Sequence, residues 1–174
     1  MVEKYSREYS KMLSELTAND ERNRLIVSDI STETMNSNGV CLVLSDRKKH
    51  CENLKILLYH RYKIQAELLT GETNNSKRTE IIQKLNKGEI KVLFATGQLI
   101  GEGFDCENLS TLFLTTPIKF TGRVRQYLGR ILRPSDEKLR ARVFDYVDVN
   151  VPVLNKSAAI RRNAYGKEAV FKTL

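Results

Sequence analysis

Residues 92–105 read VLFATGQLIGEGFD, and this stretch decides the fold that the sequence predicts. Its first four residues, Val92 to Ala95, form a short apolar run that is typical of a strand buried in a parallel sheet. The ten residues that follow, Thr96 to Asp105, contain three glycines and two acidic residues, which is more than an ordinary turn needs. Because glycines and hydroxyls directly after a strand suit phosphate oxygens, the stretch predicts a strand followed by a phosphate-binding loop.

Apolar runs on either side of this stretch predict four more strands, at residues 40–44, 64–69, 111–114 and 142–147. The segments between the strands predict helices over 47–59, 76–87 and 121–132, the second capped by Ser76 and stopped by Gly88. Strands that alternate with helices indicate an α/β fold, here a parallel sheet of about five or six strands with helices on both faces. In such sheets ligands bind beyond the carboxyl ends of the strands.

Segments outside this alternating pattern predict additional helices at the two ends of the chain. Apolar residues at helical spacing indicate helices within the first thirty residues, and Ser31 to Gly39 are interpreted as a polar connector. We therefore expect an N-terminal helical extension and linker (1–38), an α/β domain (39–150) and a basic helical tail (151–174).

Composition excludes several classes of protein. The 174 residues suit one domain with appendages, and 41% hydrophobic with 29% charged residues excludes a disordered tail, a collagen-like chain and a membrane protein. The N-terminus lacks an apolar signal-peptide core, so a cytoplasmic or nucleoid-associated protein is expected rather than a secreted one. Three cysteines and two histidines, His50 and His60, have no metal-ligand spacing, so no metal site is predicted and both histidines are interpreted as surface residues.

Four polar residues, three of them arginines, recur at helical spacing in the predicted helix 121–132 and at its end. Arg123, Gln126, Arg130 and Arg133 can share one helix face, and Gly129 lets another backbone approach it closely. Like charges at this spacing repel, so local helix stability does not explain them, whereas a shared polyanion does. The net charge of +8 points weakly in the same direction. The alternative is a solvated basic helix face.

This pattern resembles the motifs of superfamily 2 helicases. The segment from Phe94 to Asp105 resembles motif V, and Gln126-x-x-Gly129-Arg130-x-x-Arg133 resembles motif VI. Strand 40–44 with Ser45-Asp46 resembles motif IV, and Leu69 to Glu72 followed by Lys77-Arg78 resembles the adjoining block. The resemblance covers about residues 38–150 and implies the second RecA-like lobe of a motor that binds ATP between two lobes. A Gly-x-x-x-x-Gly-Lys-Ser/Thr loop and a DExH box do not occur, which suggests a piece of a longer protein.

The resemblance also implies roles for individual residues. The catalytic group comprises the arginine fingers Arg130 and Arg133 and, near the γ-phosphate and the attacking water, Gln126. The ATP-binding group comprises Gly103, Asp105 and Gly129. The nucleic-acid-binding group, which holds the phosphate backbone, comprises Ser45, Thr70, Gly71, Thr96 and Gly97. Mg²⁺ would be bound mainly by the missing first lobe, which is also the expected protein partner.

Motif VI with glutamine at its start resembles the DExH DNA helicases of the type III restriction subunit and repair group, so DNA is favoured over RNA as partner. Without the first lobe, the chain is expected to lack ATPase activity. Two other interpretations stay open: a nucleic-acid-binding module without ATP chemistry, and an unrelated flavodoxin-like domain. The tail either adds nucleic-acid contacts or is a solvated helix docked through apolar side chains, namely Ile160, Tyr165, Val170 and Phe171.

Overall fold

A computed structural model describes residues 2–97, 106–117, 142–165 and 169–173. Within these ranges the helices are α1 (Val2–Ala18), α2 (Asp20–Asn36), α3 (Lys48–Tyr62), α4 (Asn75–Asn86) and α5 (Pro152–Tyr165). The strands are β1 (Val40–Ser45), β2 (Glu67–Leu69), β3 (Val92–Thr96), β4 (Leu109–Leu114), β5 (Arg142–Val147) and β6 (Ala169–Thr173). In this part of the chain no helix is both long and apolar enough to cross a membrane. The predicted helix 121–132 lies outside the described residues.

The six strands form one parallel sheet in the order β2-β3-β1-β4-β5-β6. Each of the five predicted strands is found, although β2 is limited to three residues. Neighbouring strands end at the same level, since Ser45 pairs with Thr96, Leu69 with Ala95 and Leu44 with Leu114. The predicted α/β fold is confirmed, and the carboxyl ends of β2, β3, β1 and β4 share one edge, which we call the carboxyl edge.

Alternate residues of the central strands supply two separate cores. On one face Cys41, Val43 and Phe94 pack with residues of α2 and α3, and on the other Leu42 and Leu44 pack with residues of α4. Such strands are buried on both faces, which explains why they read as continuous apolar runs rather than alternating ones. Helices therefore cover both faces of the sheet, as predicted.

The interpretation of Ser31 to Gly39 as a polar connector is wrong for its first six residues, because α2 continues to Asn36. Several polar side chains of α2 face the sheet rather than solvent. The buried carboxylate of Glu33, for example, accepts hydrogen bonds from Thr111 Oγ1 and Arg142 Nη1, both at 2.8 Å. The turn itself is short and tight, since a Cβ at Gly39 would lie only 2.2 Å from Ser110 Oγ.

The ends of two elements also differ from the prediction. Asn74, not Ser76, caps α4, because its side chain accepts a hydrogen bond from Lys77 N at 2.8 Å. Gly88 follows that helix with φ +72°, a conformation that glycine adopts readily. The tail is not only helical: α5 is followed by β6, which pairs in parallel with β5 and adds an edge strand to the sheet.

Candidate functional site

A row of hydroxyl residues runs along the carboxyl edge. Ser45 ends β1 and pairs with Thr96, which ends β3. Thr70 and Thr115 directly follow β2 and β4, whose last residues pair with Ala95 and Leu44 respectively. The register thus places Thr70, Thr96, Ser45 and Thr115 side by side on four adjacent strands, about 5 Å apart from strand to strand. The sequence predicted the first three residues of this row and did not predict Thr115.

The β1–α3 turn, residues 45–47, is held by hydroxyl groups from two strands. Ser45 Oγ accepts a hydrogen bond from Arg47 N at 3.1 Å, and Thr116 Oγ1 accepts one from Asp46 N at 2.8 Å. The next loop touches this turn, because a Cβ at Gly97 would lie 2.9 Å from Asp46 Oδ1. Glycine at 97 therefore lets the loops that follow β1 and β3 approach each other closely.

The turn after β2 folds back on its own hydroxyl groups. Thr73 Oγ1 accepts a hydrogen bond from Thr70 N at 3.0 Å, and Thr70 Oγ1 accepts one from Glu72 N at 3.3 Å. Thr70 is buried, whereas Gly71 is exposed with open space where a side chain would begin. This position can therefore present backbone to a ligand without steric hindrance.

Cations lie at the start of the two helices that begin at this edge. Arg47, Lys48 and Lys49 open α3, Lys77 and Arg78 lie in the first turn of α4, and neither helix has an acidic residue there. Cations are unfavourable beside the positive end of a helix dipole, by about 0.3 to 1 kcal/mol each. Exposed pairs with Glu72 and Glu80 offset part of this cost for Lys48 and Lys77. Arg47 Nη2 also donates to Ser10 O and Ser10 Oγ of α1, at 3.3 and 2.8 Å, so local partners account for part of this charge.

His50 is a buried residue, so its interpretation as a surface histidine is wrong. It is the third residue of α3, its side chain faces the sheet, and the residue is 1% exposed. Its Nδ1 lies 3.0 Å from Ser45 Oγ and its Nε2 lies 2.9 Å from Asn23 Oδ1. Two polar partners from β1 and α2 account for its burial, and neither partner could be read from the sequence around position 50. His60, by contrast, is exposed.

Burial, helped by the charge of Arg22, lowers the pKa of His50 to about 3 from an ordinary value of 6.5. Between these two values the unfolded chain binds a proton that the folded chain does not, so the free energy of unfolding falls as the pH falls. We expect His50 alone to remove about 2 kcal/mol between pH 7 and pH 5. Urea unfolding at both pH values measures this, with His50→Asn as the control that lacks the titrating group. An equal loss in both proteins would contradict the prediction.

Several predicted site residues lie outside the described residues. They are Gly103, Asp105, Gln126, Gly129, Arg130 and Arg133. Of the nucleic-acid-binding group, the structure brings Ser45, Thr70, Gly71, Thr96 and Gly97 to one edge. The Ser45 side chain is fully buried, so a ligand at this position would meet the backbone of the turn and not the serine hydroxyl. Among the described residues, no cluster of three or more His, Cys, Asp and Glu side chains could hold a metal ion.

Comparison with known proteins finds one matching family model, "Helicase conserved C-terminal domain", over residues 19–135. A protein of Invertebrate iridescent virus 6 that is named as a helicase, 161L, is 30% identical over 170 residues, which cover 92% of this chain and 36% of that protein. The chain spans 14% to 36% of the length of the curated relatives it matches.

Solved structures share the fold. T4 UvsW superimposes with a TM-score of 0.70 at 21% identity, covering 95% of this chain and 37% of that one. Dbp5 of S. cerevisiae, in a structure bound to RNA and ADP BeF3, gives a TM-score of 0.63 at 16% identity, with 87% and 38% covered. These similarities extend over most of the chain.

Proposed function

The chain belongs to the helicase conserved C-terminal domain family, and we propose that its carboxyl edge binds the phosphate backbone of a nucleic acid. In this proposal the chain acts as the second RecA-like lobe of a superfamily 2 helicase. The β1–α3 turn and the backbone at Thr70-Gly71 and Thr96-Gly97 supply the contacts. Contacts to phosphates carry no sequence information, which suits a motor that moves along a strand.

The observation that carries this proposal is the set of cations at the N-termini of α3 and α4. Those positions cost local stability. These cations become favourable when a polyanion lies across the two helix N-termini, because the backbone N–H groups, the helix dipoles and the side-chain charges then all attract it. The exposed Gly71 and the backbone at Thr96-Gly97 lie at the same edge.

ATP would bind between this lobe and a first lobe supplied by the longer protein. Arg130 and Arg133 would reach the γ-phosphate as arginine fingers, with Gln126 near the attacking water and Gly103, Asp105 and Gly129 against the nucleotide. Mg²⁺ would be held mainly by the first lobe. These assignments rest on the resemblance of residues 94–105 and 126–133 to motifs V and VI. The chain by itself would then lack ATPase activity, because it carries half of the site.

DNA is proposed as the preferred strand on the motif resemblance to the type III restriction and repair group, and DNA repair is one process that fits. The cytoplasm or nucleoid is the proposed compartment, in keeping with three free cysteines. A nucleic-acid-binding module without ATP chemistry is the alternative. Such a module would use the same carboxyl edge, so nucleic-acid binding would support both the helicase lobe and the binding module. ATPase assays of the longer protein would separate the two functions.

Removal of two cations at the start of α3 tests the proposed interface. We expect Lys48→Ala/Lys49→Ala to weaken binding of the 174-residue chain to a labelled single-stranded oligonucleotide about tenfold, with the salt slope reduced by about 0.7 for each phosphate that is no longer neutralised. The measurement is fluorescence anisotropy over a salt series, with DNA and RNA of one sequence. Removing these cations should also raise the thermal stability slightly, so unfolding cannot explain weaker binding.

Arg61→Ala/Lys63→Ala is the matched control, because it removes the same charge at the opposite end of the same helix. We expect its affinity to stay within about twofold of the unaltered chain, since it lies away from the carboxyl edge. If the two double variants weaken binding equally, then only the net charge of the chain matters, and the proposed interface is contradicted. Tighter binding of the RNA would overturn the preference for DNA and leave the interface intact.

A further inference from the structure

The hydrogen bonds around His50 have one consistent direction. Asn23 Nδ2 donates to Thr17 O at 2.9 Å, which leaves Asn23 Oδ1 as the acceptor that faces His50 Nε2. His50 Nε2 therefore carries the proton, and in the neutral imidazole Nδ1 is bare. The Ser45 hydroxyl then donates to Nδ1, and its oxygen is free to accept from Arg47 N. Each polar atom named in this series therefore has a hydrogen-bond partner of the opposite kind.

The series of hydrogen bonds through Asn23, His50 and Ser45 connects the start of α2 to the turn that precedes α3. The bond between Ser45 and His50 Nδ1 and the bond from Arg47 N meet at the same atom, Ser45 Oγ. His50 is in turn fixed by Asn23, which is bonded to the end of α1 through Thr17. The Arg47 N–H is thereby bonded to Ser45 Oγ, and the side chain of Arg47 does not cap the N–H groups of the next residues at the start of α3.

We propose that His50 is a positioning residue that, through the Ser45 hydroxyl, fixes the β1–α3 turn in the conformation that receives a nucleic-acid phosphate. The inference rests on the proposed function of the carboxyl edge. His50 does not touch the ligand, because it is buried behind Ser45. Its bond to Ser45 sets the geometry of the turn, and its bond to Asn23 holds the ring.

The competing explanation is that His50 only stabilises the fold. Two substitutions of His50 by amides of similar shape separate this explanation from the positioning role. In His50→Asn the side-chain oxygen takes the place of Nδ1, so the bond to Ser45 is kept and the bond to Asn23 is removed. In His50→Gln the amide reaches the place of Nε2, so the bond to Asn23 is kept and the bond to Ser45 is removed. Each variant lacks one buried hydrogen bond, so their thermal stabilities should fall by similar amounts.

Affinity for a labelled single-stranded oligonucleotide should distinguish the two variants. We expect His50→Gln to bind about five- to tenfold more weakly than the unaltered chain and His50→Asn to bind within about twofold of it. Ser45→Ala, which leaves the histidine packed, should weaken binding as His50→Gln does and provides the result if His50→Gln does not fold. Anisotropy titrations with melting curves on the same samples give both readouts.

The failures of the two proposals have different signatures. If the unaltered chain binds the oligonucleotide and all three variants bind equally well, the positioning role is overturned while the proposed interface stands. If affinity follows melting temperature across the three variants, His50 acts on the fold alone and the inference is likewise overturned. If the unaltered chain does not bind, the proposed interface fails and the inference fails with it.

Discussion

Arg161→Ala is expected to lower the free energy of unfolding by about 3 to 5 kcal/mol, the largest loss of stability we expect from any single substitution considered. Arg161 of α5 donates from Nε and Nη2 to the two oxygens of Asp145 on β5, at 2.8 and 2.9 Å, and from Nη1 to Ser157 at 3.0 Å. The two side chains are 3% and 1% exposed. Truncation deprives a buried carboxylate of its guanidinium, so a buried charge loses its compensating cation.

The neighbouring Arg162 provides the control, because it is exposed and lies on the same turn of α5. We expect Arg162→Ala to change the free energy of unfolding by no more than about 0.5 kcal/mol. The double variant Asp145→Val/Arg161→Leu should recover most of the loss, since apolar residues of similar size often replace a buried pair without cost. Urea unfolding of all four proteins measures these differences. A loss below about 1 kcal/mol in Arg161→Ala would contradict the prediction.

Strands β1, β3, β4 and β5 could be predicted because each contains a short apolar run that the sheet buries on both faces. β6 was missed because residues 169–173 follow a helical segment and their pairing partner, β5, lies more than twenty residues earlier. The end of α2 was missed for a related reason. Glu33 reads as a polar connector residue, but its partners, Thr111 and Arg142, are contributed by strands far along the chain.

The candidate site shows the same limit at the level of side chains. The rule that ligands bind beyond parallel strands predicted Thr70, Thr96 and Ser45 at one edge, and the register places them there. The inward orientation of Ser45 could not be predicted, because it depends on His50 five residues later and on Asn23 from another helix. Local sequence indicates which residues reach the edge, and tertiary contacts decide which atoms face it.

Arg130→Ala is expected to reduce the ATPase rate of the longer, two-lobed protein about 10³- to 10⁵-fold while leaving its fold intact. The expectation rests on the resemblance to motif VI, in which this arginine reaches the γ-phosphate. A guanidinium stabilises the charge that develops on the transferred phosphoryl group, and its effect is larger in the transition state than in bound ATP. We therefore expect nucleotide affinity to change much less than turnover. Single-turnover hydrolysis in the presence of saturating nucleic acid, with ATP binding measured separately, tests both statements.

Two matched variants turn this result into a test of the chemistry. Arg61→Ala removes an exposed arginine from the far end of α3 and should leave turnover unchanged, which excludes a general effect of charge. Arg130→Lys keeps the charge but loses the planar fork, so a rate close to that of Arg130→Ala is expected if two directed hydrogen bonds are required. If the rate of Arg130→Lys is close to that of the unaltered protein, then Arg130 contributes only its positive charge. Near-normal turnover in Arg130→Ala would overturn the arginine-finger assignment, and the carboxyl edge would then stand as a binding surface whose link to ATP lies in other residues.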